Sequence, residues 1–373
     1  SMGMKTCCSS RGTLPAGDKR SHQGATGMED VPVFVGLDYH SKSVQVCVMD
    51  AAGMVLVNRR CENSVLEISR AVGAVGQGRE VKRVAIESCC GAADLAEALM
   101  DPVHGPGWTV SLAHAGYVSR MKTNPDKTDY GDARMLAELA RAGLIPPVWL
   151  APKHIRELRV LVRLRADLVE QVKAFKTRIL ALLRQQRLAE PSSFGRWCRA
   201  WLAWLASEGC ALSEQGRFAV EIWLDEIAAL RSRIKKVEGR LRDAVRDDAV
   251  VAKLRENKGV GEVTAWTMRA LIGRFDRFAS GKQLSRYCAV TPRNASSGER
   301  SADSGMIRAG DGQLKSVVIE AAQRLRRYVP RWQKLSESMH QRGKATSVII
   351  GAVANRWLRC LYHEMKGVSM GSA

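Results

Sequence analysis

Three apolar runs open the patterned part of the chain. VPVFVGLDYH at Val31–His40 reads as a buried strand, SVQVCVMD at Ser43–Asp50 as a second and MVLVNRR at Met54–Arg60 as a third. Tight turns join them, the second being Ala51-Ala52-Gly53, so the three predict an antiparallel meander. The period then changes. Ser64–Gly76 is amphipathic at helical spacing, VKRVAIES at Val81–Ser88 is again a strand, Gly91–Met100 a helix, Trp108–Leu112 a short strand and Lys127–Ala142 a helix. Hairpin strands followed by alternating helices and strands predict a mixed sheet covered by helices.

Beyond Pro146-Pro147 the pattern is helical. In Lys153–Arg187, positions Leu161, Leu168, Val172, Phe175, Ile179 and Leu182 form an apolar stripe interrupted by Arg165. After a patch holding Trp197, Trp201 and Trp204, a second stripe runs through Val220, Trp223, Ile227, Leu230, Ile234, Val237, Leu241 and Ala244. Two such stripes predict an antiparallel helical hairpin or coiled coil, within one chain or between subunits. Leu284–Val290 and Gln313–Arg327 read as helices around a polar, Gly- and Ser-rich loop at Thr291–Gly312, and Lys344–Lys366 as an amphipathic helix. The expected division is an α/β domain over 31–147, a helical region over 148–250 and a mostly helical domain over 251–366. An N-terminal extension (1–30) and a tail (367–373) are expected to be disordered. Ser1-Met2-Gly3 looks like a scar of expression, and Met28 like the natural start.

Charge narrows the partners. The 373 residues carry 58 Lys+Arg against 38 Asp+Glu, a formal +20. A surplus of that size acts on partners, usually nucleic acids or anionic membranes. Charged residues interrupt every long apolar run, which argues against a membrane span and leaves nucleic acid. Lys153–Arg187 is itself strongly basic, a face suited to phosphates. No two of the ten cysteines form a C-x-x-C pair and none clusters with the histidines, which argues against a structural zinc site. Thiols within apolar segments and no secretory signal point to a reducing compartment, the bacterial cytoplasm and its nucleoid.

The candidate chemistry centres on KTDYGDARML at Lys127–Leu136. Asp129 and Asp132, three residues apart, share one face of the predicted helix. The plain structural account is an acidic first turn that favours the helix dipole. Asp38, however, ends the first strand and Glu87 the fourth, and in sheets of this kind the ligand site lies beyond the strand ends. Four carboxylates at one point need cations, and hard oxygen donors in that number suit Mg²⁺ or Mn²⁺. Two such ions roughly 3.5–4 Å apart clamp the attacking and leaving oxygens of a phosphodiester. Lys122, Lys127 and Arg134 flank the acidic pair. Lys258-Gly259-Val260-Gly261 before a helix reads as a helix-hairpin-helix turn, whose N–H groups hold a phosphate without reading sequence. The polar loop carries Arg293, Arg300 and Arg308 together with Ser296, Ser297, Ser301 and Ser304. A loop serine is usually turn chemistry; a nucleophilic one needs phosphate-binding cations nearby, which these arginines would supply. The pattern does not choose among the four.

In order and spacing from Val33 onward, these motifs resemble the DEDD transposases of the insertion-sequence 110 family, related to the Piv-type DNA invertases. GLDYHSKSVQVCV matches the opening strand with its first acid, AIES the second acid, and KTDYGDARMLAEL the third and fourth. GVGEVTAWTM, QLSRYCAVTPRNASSG and IRAGDGQLK follow in the second half. The resemblance implies an α/β plus α fold: a RuvC-like (RNase H fold) mixed-sheet domain, a helical coiled-coil segment and a mostly helical, serine-bearing transposase domain. It implies that Asp38, Glu87, Asp129 and Asp132 are catalytic and hold Mg²⁺ or Mn²⁺. Ser297, which precedes Gly298, would be the nucleophile, with Lys122, Lys127 and Arg293 as backbone clamps. The implied activity is recombination guided by a non-coding bridge RNA that pairs with target and donor DNA. Homo-oligomers, dimers assembling into tetramers, would bring the acids of one subunit to the serine of another. One departure stands beside the second acid: Glu87-Ser88-Cys89-Cys90-Gly91 occupies the place of the family's usual E-A-T-G. Two rivals stand beside this reading, a RuvC-like nuclease or junction resolvase that uses the same acids with water as nucleophile, and a non-catalytic RNA or DNA scaffold whose acids have decayed.

Overall fold

The computed structural model describes residues 31–76, 78–121, 128–294 and 303–368. The N-terminal extension, Lys122, Lys127, Ser296, Ser297, Gly298, Arg300, Ser301 and the last five residues lie outside them. The chain divides into two compact units, one ending at Leu150 and the other beginning at Ala151.

The first unit runs β1 (Val31–Tyr39), β2 (Ser43–Asp50), β3 (Val55–Glu62), α1 (Val65–Gly73), β4 (Arg79–Glu87), α2 (Ala92–Met100), β5 (Val110–Ala113), α3 (Ala115–Met121), α4 (Asp129–Ala142) and β6 (Pro147–Val148). Its six strands lie in the order β3-β2-β1-β4-β5-β6. The β1–β2 and β2–β3 pairs are antiparallel, as the meander predicts, while β4 joins β1 and β5 joins β4 in parallel. This α/β arrangement is consistent with the RuvC-like domain expected. Strand alternation divides the core into two layers. Val33, Val35 and Leu37 of β1 pack with Val44, Val46 and Val48 of β2 under α1 and α2. Phe34 of β1 and Ala85 of β4 face the other way, with Cys47 and Met49 of β2, toward Ala133, Leu136, Ala137 and Ala140 of α4. The short α3 and the antiparallel edge strand β6 escaped the sequence reading, because two to seven residues show no period.

The second unit begins with α5 (Lys153–Gln185), α6 (Arg199–Ala206) and α7 (Glu214–Ala244). The two long helices pack as an antiparallel pair within one chain. Leu158 and Val162 at the start of α5 share a core with Leu241 near the end of α7. Ile179 and Leu183 at the end of α5 meet Val220 and Ile227 near the start of α7. The interruption at Arg165 has a cross-helix purpose: its guanidinium pairs with Glu238 at 2.8 Å. The Trp-rich patch closes the tip around Trp201, which is fully buried and donates its Nε1–H to Glu190 at 3.0 Å.

At the base of the pair follow α8 (Ala249–Arg255), α9 (Glu262–Ile272), α10 (Gly281–Tyr287), β7 (Pro292–Asn294), β8 (Asp303–Met306), α11 (Gly312–Tyr328), α12 (Pro330–Gln341) and α13 (Thr346–Lys366). The largest core among the described residues lies here, joining Trp266, Phe275, Val318, Trp357 and Leu361 to Leu158 and Val162 of α5. Where the sequence predicts only a polar loop, β7 and β8 pair antiparallel and bracket residues 295–302. Their residues are mainly polar, so alternation gave no strand signal. Among the described residues, no helix is long and apolar enough to cross a membrane.

Candidate active site

The site is built on one face of the sheet. In β1, Asp38 follows Phe34 and Gly36 at the two-residue strand period, so all three face α4. In β4, Glu87 follows Ala85 in the same way. Leu37 is in register with Ile86, so Asp38 and Glu87 stand at neighbouring ends of parallel strands. Gly36 sets the depth at which α4 lies on the sheet. A Cβ there would stand 2.1 Å from the Ala133 carbonyl oxygen and 2.3 Å from the Ala137 nitrogen. Only a residue without a side chain lets the helix backbone come so close.

The helix start is fixed by caps and by the meander. Thr128 Oγ1 accepts the Gly131 N–H at 3.1 Å, which places Asp129 first in α4 and Asp132 one turn later. Gln45, opposite Asp38 across β1–β2, donates to Asn58 Oδ1 at 2.7 Å, and Asn58 Nδ2 donates to the Tyr130 carbonyl at 3.0 Å. Through this chain of amides the first turn of α4 is tied to β2 and β3.

Three donors converge as a result. His40 Nε2 lies 3.3 Å from Asp38 Oδ2 and 3.4 Å from Asp129 Oδ2, and the three side chains each offer one donor atom within a 4.8 Å span. Asp132 is buried, Asp38 and Asp129 are half-buried and His40 is exposed. Burial pushes the Asp38 carboxyl above its ordinary range; His40 opposes this, and the charges of Asp132 and Asp129 add to it. Desolvation raises the Cys89 thiol, and after it the Glu87 charge, with a smaller contribution from Asp38. Cys89 therefore stands within the field of both strand-end acids. Clustered carboxylates that raise one another's proton affinity, with an imidazole among them, fit a divalent cation by the chemistry of the donor set.

The departure after Glu87 sets its glycine one position later than E-A-T-G does. Gly91 caps α2 at φ +89° and lies against the Tyr39 ring, where a Cβ would meet the phenol oxygen at 2.1 Å. His40, Gln45 and Asn58 were missed in the sequence. The available signal for His40 was its place two residues after Asp38 at the mouth of a hairpin; the two amides gave none, since their contact is made across strands.

The remaining candidates are distributed along both units. Arg134 is exposed on α4. Lys258 is exposed in the turn from α8 to α9, where Gly259 has φ +90° with its carbonyl near Arg324 Nη1 at 3.4 Å, and Gly261 caps α9. Arg293 on β7 and Arg308 after β8 are exposed.

A mixed α/β sheet with an acidic cluster at its strand ends, in a strongly basic chain, has the form of a DNA-acting enzyme of the transposase kind. Comparison with known families supports that class. Residues 35–187 match the DEDD family model of insertion sequence 110, described as a transposase, and residues 251–337 match the family described as Transposase IS116/IS110/IS902. The chain is 25% identical to the transposase for insertion sequence element IS1111A of Coxiella burnetii, over 81% of this chain and 80% of that protein. It is 26% identical to the putative transposase y4qE of Sinorhizobium fredii, over 80% and 73% respectively. It is also 26% identical to a probable family 20 transposase of Pseudomonas aeruginosa, over 75% and 82%. The chain belongs to the insertion-sequence 110 family of DEDD transposases.

Proposed function

We propose that this transposase cuts and rejoins DNA through a serine–DNA intermediate, guided by a non-coding bridge RNA, with Asp38, Glu87, Asp129 and Asp132 holding Mg²⁺ or Mn²⁺. The observation that carries the acid-site reading is the meeting of Asp38 and Asp129 at His40, with Asp132 buried beside them. The bound ion would supply positive charge against the charge that builds on the phosphorane oxygens.

In the proposed reaction the Ser297 hydroxyl loses its proton and its oxygen bonds to the scissile phosphorus. The phosphorus–oxygen bond to the other DNA end breaks, and that oxygen takes up a proton, leaving a phosphoserine on one end and a free hydroxyl on the other. Reversal with a new partner restores the phosphodiester without ATP. Lys122, Lys127, Arg134, Arg293, Arg300 and Arg308 would neutralise backbone phosphates, and the Gly259–Gly261 turn with Lys258 would hold one more through its N–H groups. Base pairing with the RNA would read target and donor sequence, while the protein reads backbone and shape. Subunits would pair and then form a tetramer, with the long α5–α7 pair acting as a coiled coil and the acids of one subunit serving the serine of another.

A denaturing gel of full-length protein with its bridge RNA and DNA tests this. A metal-dependent covalent adduct is expected from the wild type and none from Ser297→Ala. Continued cutting by Ser297→Ala would favour the water-using resolvase instead. Recombination unchanged by Asp129→Asn would overturn the acid-site reading.

A further inference from the structure

We infer that His40 is itself a ligand of the divalent ion, and that its imidazole moves the site's preference away from Mg²⁺ toward first-row transition ions such as Mn²⁺. This rests on the acid-site reading above and adds to it a donor outside the four carboxylates.

The contacts of His40 with its two acids are longer than charge-assisted hydrogen bonds usually are, which cluster near 2.7–2.9 Å. Around an octahedral ion with bonds of about 2.1 Å, adjacent donors stand roughly 3 Å apart, close to the spacing found here. The ring is also held at its base. The His40 N–H donates to the Ser43 carbonyl at 2.9 Å, closing the β1–β2 turn, and its own carbonyl accepts from Asn63 Nδ2 at 3.0 Å. The backbone is thus tied on both sides while the side chain, 46% exposed, remains open to an incoming ion. Asp38 comes from the strand, His40 from the turn and Asp129 from the helix start, so three separate elements supply the three donors. Mg²⁺ is served by oxygen donors alone, whereas imidazole is a regular ligand of first-row transition ions.

The test uses full-length, metal-free protein titrated with Mn²⁺, with free ion followed by its paramagnetic resonance and Mg²⁺ added as competitor. Wild type is expected to bind Mn²⁺ with a nitrogen coupling in the spin-echo spectrum. His40→Gln should lose that coupling and bind Mn²⁺ about tenfold more weakly, with a much smaller loss for Mg²⁺. A nitrogen coupling that persists in His40→Gln, or an unchanged Mn²⁺-to-Mg²⁺ ratio, would overturn the inference. Asp38→Asn separates it from its foundation. If Mn²⁺ binding needs Asp38 but shows no nitrogen coupling, the acid site stands and the His40 ligand falls. If binding is indifferent to Asp38→Asn, both fall.

Discussion

Gly36 of β1 lies so close under Ala133 of α4 that a single methyl group at position 36 would stand 2.1 Å from the Ala133 carbonyl oxygen. The obstacle is helix backbone, which cannot rotate aside as a side chain can. Gly36→Ala is therefore expected to lift α4 from the sheet and destabilise the first unit by about 3 kcal/mol, read from urea unfolding. Since α4 carries Asp129 and Asp132, Mn²⁺ affinity should fall in the protein that remains folded. A variant with wild-type stability and metal affinity would show that the helix depth does not matter.

Asn58 ties the first turn of α4 to β3 through the Tyr130 carbonyl, and Gln45 holds Asn58 in place. Asn58→Ala is expected to cost about 1 kcal/mol of stability. Its larger effect should be local: faster hydrogen exchange at the amides of α4 beyond its first turn, with the rest of the sheet unchanged. Uniformly faster exchange would instead mean a general loss of stability.

Asp38 makes the metal-free protein less stable at neutral pH. Its folded carboxyl binds a proton more tightly than the unfolded chain does, chiefly because of burial. Stability therefore falls as pH rises from the ordinary value of 3.8 through the higher folded one, and stays lower above it. Asp38→Asn should raise the neutral-pH Tm of the metal-free protein, while abolishing ion binding. The gain should disappear below about pH 3.8. A lower Tm for Asp38→Asn at pH 7 would contradict this account.

Glu190 behaves in the opposite sense at the tip of the α5–α7 pair. The Arg196 hydrogen bonds hold its carboxyl below the ordinary range, and the Trp201 indole adds to this. The stabilisation is present above the unfolded value of 4.5 and is lost as pH falls through the lower folded value. Tryptophan emission should report loosening of the Trp197–Trp201–Trp204 cluster below pH 4.5 in the wild type. Glu190→Gln should loosen it at neutral pH by roughly 1–2 kcal/mol and flatten the acid response. An acid response that survives in Glu190→Gln would assign the effect to another group.

The sequence by itself determined the meander, the strand–helix alternation and the two long helical stripes, because each is written in the period of neighbouring residues. It also marked Asp38, Glu87, Asp129 and Asp132, since strand ends and a helix start are local features and the surrounding motifs are those of the family. The tertiary structure decided the rest. Which face of β1 meets α4, how closely Gly36 lets it approach and that Gln45 and Asn58 pin its first turn all depend on contacts between strands and helices far apart in the chain. His40 belongs to that second group. Its neighbour Asp38 is two residues away, but Asp129 is brought to it only when the helix docks on the sheet, and no periodicity encodes that meeting.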